Sequence, residues 1–458
     1  MFTSQLHTDL DQFIQQKDWI KLKEAFLDTP PADIAELLDE IDGDNALVIF
    51  RLLKKNKAAD VFSELSTSNQ EMLLELFTKQ QLTDLMGNLE PDERISVIEE
   101  LPGHLTQRLM NSLTIEDRKV VQKQLGYPEE SIGRLMTPRY VRIKQNWTVE
   151  RSMAHIRKWG TNVETINVIY VVDEFEKLID DLRLNQLIMA EPEQLIEELM
   201  DHSFVALSAF DDQEEAVIAL SKYDRVAMPV LDSASILIGI VTIDDVIDIA
   251  EEEATEDMQK MAGMDALDDY YSDTSVVEMV KKRIRWLIVL FVGQILTVTA
   301  MTNYEATLQK LAFLSFFIPL IISSGGNSGS QAATLIIRAI STKDILKTDW
   351  SYVLKRESLS GILLGVLIGL LGFIVIGLYY LKYPDVLGVG FLHIASSISL
   401  SLLCVVLWGN LCGSMLPFIL SKAGFDPAVS SAPFVSTLVD VTGIVIYFSI
   451  ANFILNTF

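Results

Sequence analysis

Hydrophobic positions along this chain fall into three regimes. Between residues 32 and 113 a short amphipathic unit recurs as ADIAELLDEI, AADVFSELS, QLTDLMGNLE and HLTQRLMNSL. Asp33, Asp60, Asp84 and Gln107 hold equivalent places, 27, 24 and 23 residues apart. Each unit reads as a short helix with a polar connector, which predicts a stacked, all-α superhelical array over residues 1–130. From about residue 132 the pattern changes to short β runs alternating with helices. INVIYVV (166–172) and VAMPVLD (226–232) are strand-like and are followed by EKLIDDLRL and SILIGIVTIDDVIDI. They predict two α/β units, 131–194 and 195–250. Residues 251–283 read as an acidic connecting helix running directly into the third regime, 284–458. There, five segments are long and apolar enough to cross ~30 Å of hydrocarbon as helices, roughly 286–303, 311–337, 358–381, 391–420 and 428–455.

Charge follows the same division. Of 37 basic and 63 acidic side chains, 29 and 56 precede Leu287, so an acidic soluble half is joined to a nearly neutral apolar one. Such a field repels nucleic acid and anionic lipid and concentrates cations. The N-terminus, MFTSQLHTDLDQF, has no basic stretch followed by an apolar core, so no cleavable signal is expected and the acidic half should stay in the cytosol. Basic flanks agree. Lys281, Lys282, Arg283 and Arg285 precede the first segment, Arg338, Lys343, Lys347, Lys355 and Arg356 lie between the second and third, and Lys422 lies between the last two. The opposite side has only Lys310 and Lys382. The positive-inside rule therefore puts the C-terminus outside a cell or inner membrane. The two cysteines, Cys404 and Cys412, lie within an apolar stretch and read as small buried side chains rather than metal ligands.

Two segments carry chemistry. The second holds Ser323-Ser324-Gly325-Gly326-Asn327-Ser328-Gly329-Ser330-Gln331, a run without the lysine of a phosphate loop. Irregular backbone at membrane depth is tolerated only against protein or beside a wet cavity. Asn327, Gln331, Thr334 and Arg338 share one helical face, which lines a pore or forms a small-residue helix contact. The fifth segment holds Asp440 near its middle, on a face with Ser430, Pro433, Thr437 and Gly443. A carboxylate at that depth costs about 2.5–3.5 kcal/mol on insertion scales and points to function. One acid per chain suits a cation that keeps its water, as Mg²⁺ does, and two copies on a dimer axis would face one ion. The alternative is proton or sodium coupling.

In the linker, Asp244, Asp245, Asp248, Glu251, Glu252, Glu253, Glu256 and Asp257 crowd together with Lys260 as the nearby base. Either they form a solvated helix face or they sense a cation that screens them. Just before them, Gly239-Ile240-Val241-Thr242-Ile243-Asp244-Asp245 closes a unit that reads as a CBS domain. The resemblance implies nucleotide contacts, ATP among the candidates, through Thr242, Asp245 and Tyr223. The first unit has Asp180, Asp181, Arg183 and Asn185 where that motif would stand, so it is a degenerate CBS unit.

The order of helical array, CBS pair, acidic helix and five spans resembles the MgtE family of magnesium channels over essentially the whole chain. The motifs that carry the resemblance are GRLMTPRY (133–140), EEEATED (251–257), FFIPLIISSGGNSGSQAATLIIR (316–338) and GFDPAVSSAPFVSTLVDVTG (424–443). The resemblance implies a non-enzymatic, Mg²⁺-preferring homodimer in contact with lipid, with a pore lined by the second and fifth spans. It implies that Asp440 binds hydrated Mg²⁺, with Asn327, Ala428 and Thr437 near the path. It further implies that Mg²⁺ between the acidic domains closes the pore, with Glu90, Asp92 and Glu93 of the array taking part. A coupled divalent-cation exchanger is the alternative.

Overall fold

A computed structural model describes residues 18–41, 43–267, 274–304, 312–382 and 391–457, with the isolated positions 13, 16 and 271. The chain divides into two compact units, Met1–Glu251 and Glu252–Phe458.

The first unit opens with nine described helices of 8–10 residues: α1 (Trp19–Asp28), α2 (Pro31–Asp39), α3 (Gly43–Phe50), α4 (Lys55–Ser63), α5 (Thr67–Leu76), α6 (Lys79–Asn88), α7 (Pro91–Glu100), α8 (Gly103–Ser112) and α9 (Ile115–Gln124). Helices this short are marginal alone. Caps define their starts: Asp18 accepts from Lys21 N, Thr114 from Asp117 N, and Thr78 with Gln81 forms a capping box. Their apolar faces then merge into one core that includes Leu22, Ile34, Phe62, Leu73 and Leu105. The four repeats seen in the sequence are α2, α4, α6 and α8; α3, α5 and α7 alternate with them, so each repeat is a helix pair.

Two three-stranded sheets follow. Strands β1 (Arg142–Lys144), β2 (Val168–Val172) and β3 (Leu178–Arg183) form the first, and β4 (Leu207–Ser208), β5 (Ala227–Leu231) and β6 (Leu237–Thr242) form the second. In each, the first pair is parallel and the second antiparallel, with a register shift at the same place, Val171/Val172 and Val230/Leu231. The hairpin turns also match. Asp173 Oδ1 accepts from Phe175 N and Lys177 N, and Asp232 Oδ1 from Ala234 N and Ile236 N. The first α/β unit thus keeps the architecture of the second despite its altered motif. Helix α10 (Ile132–Leu135) precedes both sheets, α11 (Val149–Trp159) and α12 (Leu184–Met189) belong to the first, and α13 (Gln213–Tyr223) to the second.

The linker departs from expectation. Helix α14 runs Ile243–Met261, starting inside the second α/β unit, and ends in a turn where Gly263 has a φ of +78°. A new helix, α15 (Val276–Thr302), begins at the Ser275 cap, so the linker does not run unbroken into the first span.

The second unit contains α15, α16 (Ile318–Ser341), α17 (Trp350–Lys382), α18 (Phe391–Lys422) and α19 (Ala432–Thr457). Among the described residues four of these, α15, α17, α18 and α19, are long and apolar enough to cross a membrane. Helix α16 is long enough, but its Ser323–Gln331 run makes it too polar to count with them. That run is regular helix, not the irregular backbone expected there. Its glycines answer a packing need: a Cβ on Gly409 or Gly413 of α18 would strike the backbone carbonyl of Gly325 or Gly329. Cys404 and Cys412 are free thiols, half-buried on α18.

Candidate functional site

Helix α16 has two unlike faces. Gly325, Ser328, Gly329, Ala332 and Ile336 are buried, while Asn327, Gln331, Thr334 and Arg338 stand exposed in one stripe. The small-residue contact and the polar face, rivals on sequence, are therefore opposite sides of one helix. Asp440 on α19 is half-buried and accepts a hydrogen bond from Gln294 Nε2 of α15 at 2.8 Å. In the sequence Gln294 is marked only as an amide inside an apolar run, LFVGQILTV. Thr437, one turn before Asp440, is half-buried, and its hydroxyl donates to Pro433 O at 2.9 Å. Ala428 is buried (1 % exposed) in a short 3₁₀ turn, where its N–H donates to Asp426 Oδ1 at 2.8 Å. Asn327 lies on the exposed stripe, its Nδ2 3.4 Å from Ser323 Oγ.

In the first unit the predicted sensing residues come together across three elements. Asp92 of α7 lies near Asp245, and with Glu93 of the same helix and Glu164 of the first α/β unit these groups form a carboxylate cluster. Burial pushes the Asp92 carboxyl well above the usual range, and the charges of Asp245, Glu164 and Glu93 push it further. Its Oδ1 is buried with no hydrogen-bond partner. Burial also raises Asp245, to about 6, with Asp244 and Asp248 adding to the rise against the Thr242 hydrogen bond. Glu164 is raised by burial and by Asp245 and Asp244. Glu93 is raised by burial and by Asp60 and Glu64, Glu64 by burial and by Asp248, and Asp248 by burial and by Glu251 and Asp244. Asp60, Glu64 and Glu164 were not legible in the sequence, because only the fold brings them to α7 and α14. Glu90 caps α7 and pairs with Arg139 of the GRLMTPRY motif.

The remaining acids of α14 fall in the second unit or at its edge. Glu251 and Glu252 are exposed and Glu253 is half-buried. Glu256 and Asp426 share Lys260 at 2.6 and 2.8 Å, and Asp257 is raised by burial and by the nearby Asp426 against a Ser341 hydrogen bond. Among the described residues no three His, Cys, Asp or Glu side chains stand close enough to hold a bare metal ion.

At the proposed nucleotide site, Thr242 Oγ1 donates to Asp245 Oδ2 at 2.6 Å, and Ile243 N donates to Val226 O at 3.0 Å. The second bond brings the start of α14 beside the segment that follows Tyr223, whose ring is exposed. In the first unit the motif's glycine position is Asp180, fully buried and accepting from the backbone N–H groups of Asp181, Asp201 and His202. Its carboxylate is a structural tie.

The chain is 39% identical over 455 residues, 98% of each chain, to the magnesium transporter MgtE of Thermus thermophilus. It belongs to the MgtE family. The family's divalent cation transporter profile matches residues 318–450, its intracellular N domain residues 29–130, and the CBS domain profile residues 196–252. The MgtE magnesium transporter of Enterococcus faecalis is 33% identical over 75% of this chain and 73% of its own. Among solved structures, the cytosolic domain of the Mg²⁺ channel MgtE in complex with ATP covers 53% of this chain and 99% of its own, at 34% identity and a TM-score of 0.51. The MgtE transporter profile thus spans α16 to α19, including both the polar stripe and Asp440.

Proposed function

We propose that this chain is a Mg²⁺ channel that imports the ion across the cell membrane and closes when cytosolic Mg²⁺ binds between its acidic domains. The reading rests above all on Asp440, a lone carboxylate in a spanning helix, within a chain that resembles a magnesium transporter along nearly its whole length. The pore forms in a homodimer, lined by α16 and α19, with the exposed Asn327–Arg338 stripe turned toward the second copy. Helix α16 then crosses the membrane as a fifth span shielded from lipid, which explains why it tolerates so much polarity. The N-terminal half is cytosolic and the C-terminus outside, following the basic flanks. Asp440 and Thr437 hold the hydrated ion, and Asn327 and the turn at Ala428 border its path. The regulatory ions sit among Glu90, Asp92, Glu93, Asp244, Asp245 and Asp248, and farther along α14 at Glu251, Glu252, Glu253, Glu256 and Asp257.

Gradients separate this from coupled exchange. Uptake into proteoliposomes should persist with proton and sodium gradients collapsed; uptake that stops would make the chain an exchanger, with Asp440 as its proton- or sodium-linked acid.

ATP fits the second CBS unit. The Thr242–Asp245 pair offers a hydroxyl and a carboxylate for a ribose, and the exposed Tyr223 ring offers a stacking surface. Thr242→Val in the full-length protein should weaken ATP binding about tenfold by calorimetry, the loss of about one hydrogen bond. Unchanged affinity would move the nucleotide elsewhere or exclude it.

A further inference from the structure

Three helices of the second unit meet at one buried amide. Asn410 of α18 is 3 % exposed. Its Nδ2 donates to Glu357 Oε2 at 2.7 Å and to Glu357 O at 2.8 Å, both on α17. Its Oδ1 accepts from Ser328 Oγ of α16 at 3.4 Å, and Ser328 is itself buried. Both ends of the amide are in use, so its orientation is fixed. Burying these groups unpaired would be costly, so the arrangement holds as a set.

The surroundings give this node a particular task. On either side of it α16 and α18 touch through glycines, Gly325 against Gly409 and Gly329 against Gly413. Glycine surfaces permit close approach but have no side chain to lock one helix's rotation against the other. Ser328 and Asn327 are neighbours, about 100° apart around the helix. Holding Ser328 inward on Asn410 therefore turns Asn327, Gln331 and Thr334 outward. Another polar tie of α16, Ser330 Oγ to Ala432 O at 3.1 Å, engages α19 and does not involve the node.

We propose that Asn410 is a positioning residue that, through Ser328 on one side and Glu357 on the other, sets the rotation of α16 and so aims its polar stripe. The proposal rests on the reading of that stripe as pore lining. It assigns a role to Glu357, Asn410 and Ser328, none of which touches the ion.

The test uses full-length protein in liposomes, with Cys404 and Cys412 replaced by alanine and a reporter cysteine at Asn327 or Gln331. A charged, membrane-impermeant thiosulfonate reports whether each position faces water. With the node intact both cysteines should react quickly. In Asn410→Leu, and in the milder Ser328→Ala, their reaction rates should fall about tenfold, with Mg²⁺ uptake falling in parallel. Glu357→Gln, which still accepts from the amide, should stay near the unaltered protein, whereas Glu357→Leu should behave like Asn410→Leu. Unchanged reactivity in Ser328→Ala and Asn410→Leu would overturn the proposal, even if the melting temperature drops, because the node would then serve stability alone. Should Asn410→Leu fail to fold, Ser328→Ala decides. Cysteines that never react, even with the node intact, would sink the pore reading and this proposal with it.

Discussion

Asp440→Asn should cut Mg²⁺ uptake into proteoliposomes about a hundredfold while leaving the protein folded. Asparagine keeps the shape of the side chain and can still accept the hydrogen bond from Gln294 Nε2, so it removes little besides the charge. Losing a charged acceptor for a hydrated divalent ion costs about 3 kcal/mol, which corresponds to that factor. Asp440→Ala should be at least as severe. Gln294→Leu should have a smaller effect, because it frees the carboxylate to rotate without neutralising it. An indicator-loaded vesicle assay with ion substitution measures all three. Uptake retained in Asp440→Asn would remove this residue from the path and leave the polar stripe of α16 as the remaining candidate.

The second large effect concerns the cytosolic carboxylates and should appear as a pH dependence. Asp245 is held at about 6, above its ordinary 3.8. Asp92, Glu93, Glu164 and Asp248 are displaced in the same direction, burial being the first cause in each. A raised carboxylate holds a proton in the packed arrangement that it gives up when exposed. Packing of the helical array against α14 is therefore favoured at low pH and loses that support as pH climbs from 3.8 through about 6. For Asp245 the difference amounts to roughly 3 kcal/mol once the group is ionised. At neutral pH the repulsion must be met by a cation, and millimolar Mg²⁺ is enough for loosely gathered carboxylates. Without Mg²⁺, the array should be cut readily by protease at pH 7 and become resistant near pH 5, much as millimolar Mg²⁺ protects it at pH 7. The double change Asp92→Asn with Asp245→Asn should give that resistance at pH 7 without Mg²⁺ and make uptake insensitive to cytosolic Mg²⁺. Cleavage of this variant at the unaltered rate would mean that repulsion between these groups does not hold the domains apart.

Much of this protein was legible in order along the chain. Periodicity located the helical array, the two α/β units and the apolar helices, because burial of one face imposes a repeat that a linear pattern records. Asp440 was legible for a related reason: a carboxylate in an apolar stretch is costly enough to stand out alone. The polar run of α16 was legible as unusual, but its conformation was not. It forms a regular helix because the glycines pack on those of α18, and only the facing helix can supply that contact. The intervening helices α3, α5 and α7 were missed since they do not share the motif of their neighbours, yet they close the same core. Likewise, no spacing rule could join Asp60, Glu64 and Glu164 to α14, or Gln294 to Asp440, since each pair lies far apart in sequence. A sequence records what each segment must bury, whereas which polar groups are buried together depends on how the segments pack, and both the carboxylate cluster and the Asn410 node were decided at that level.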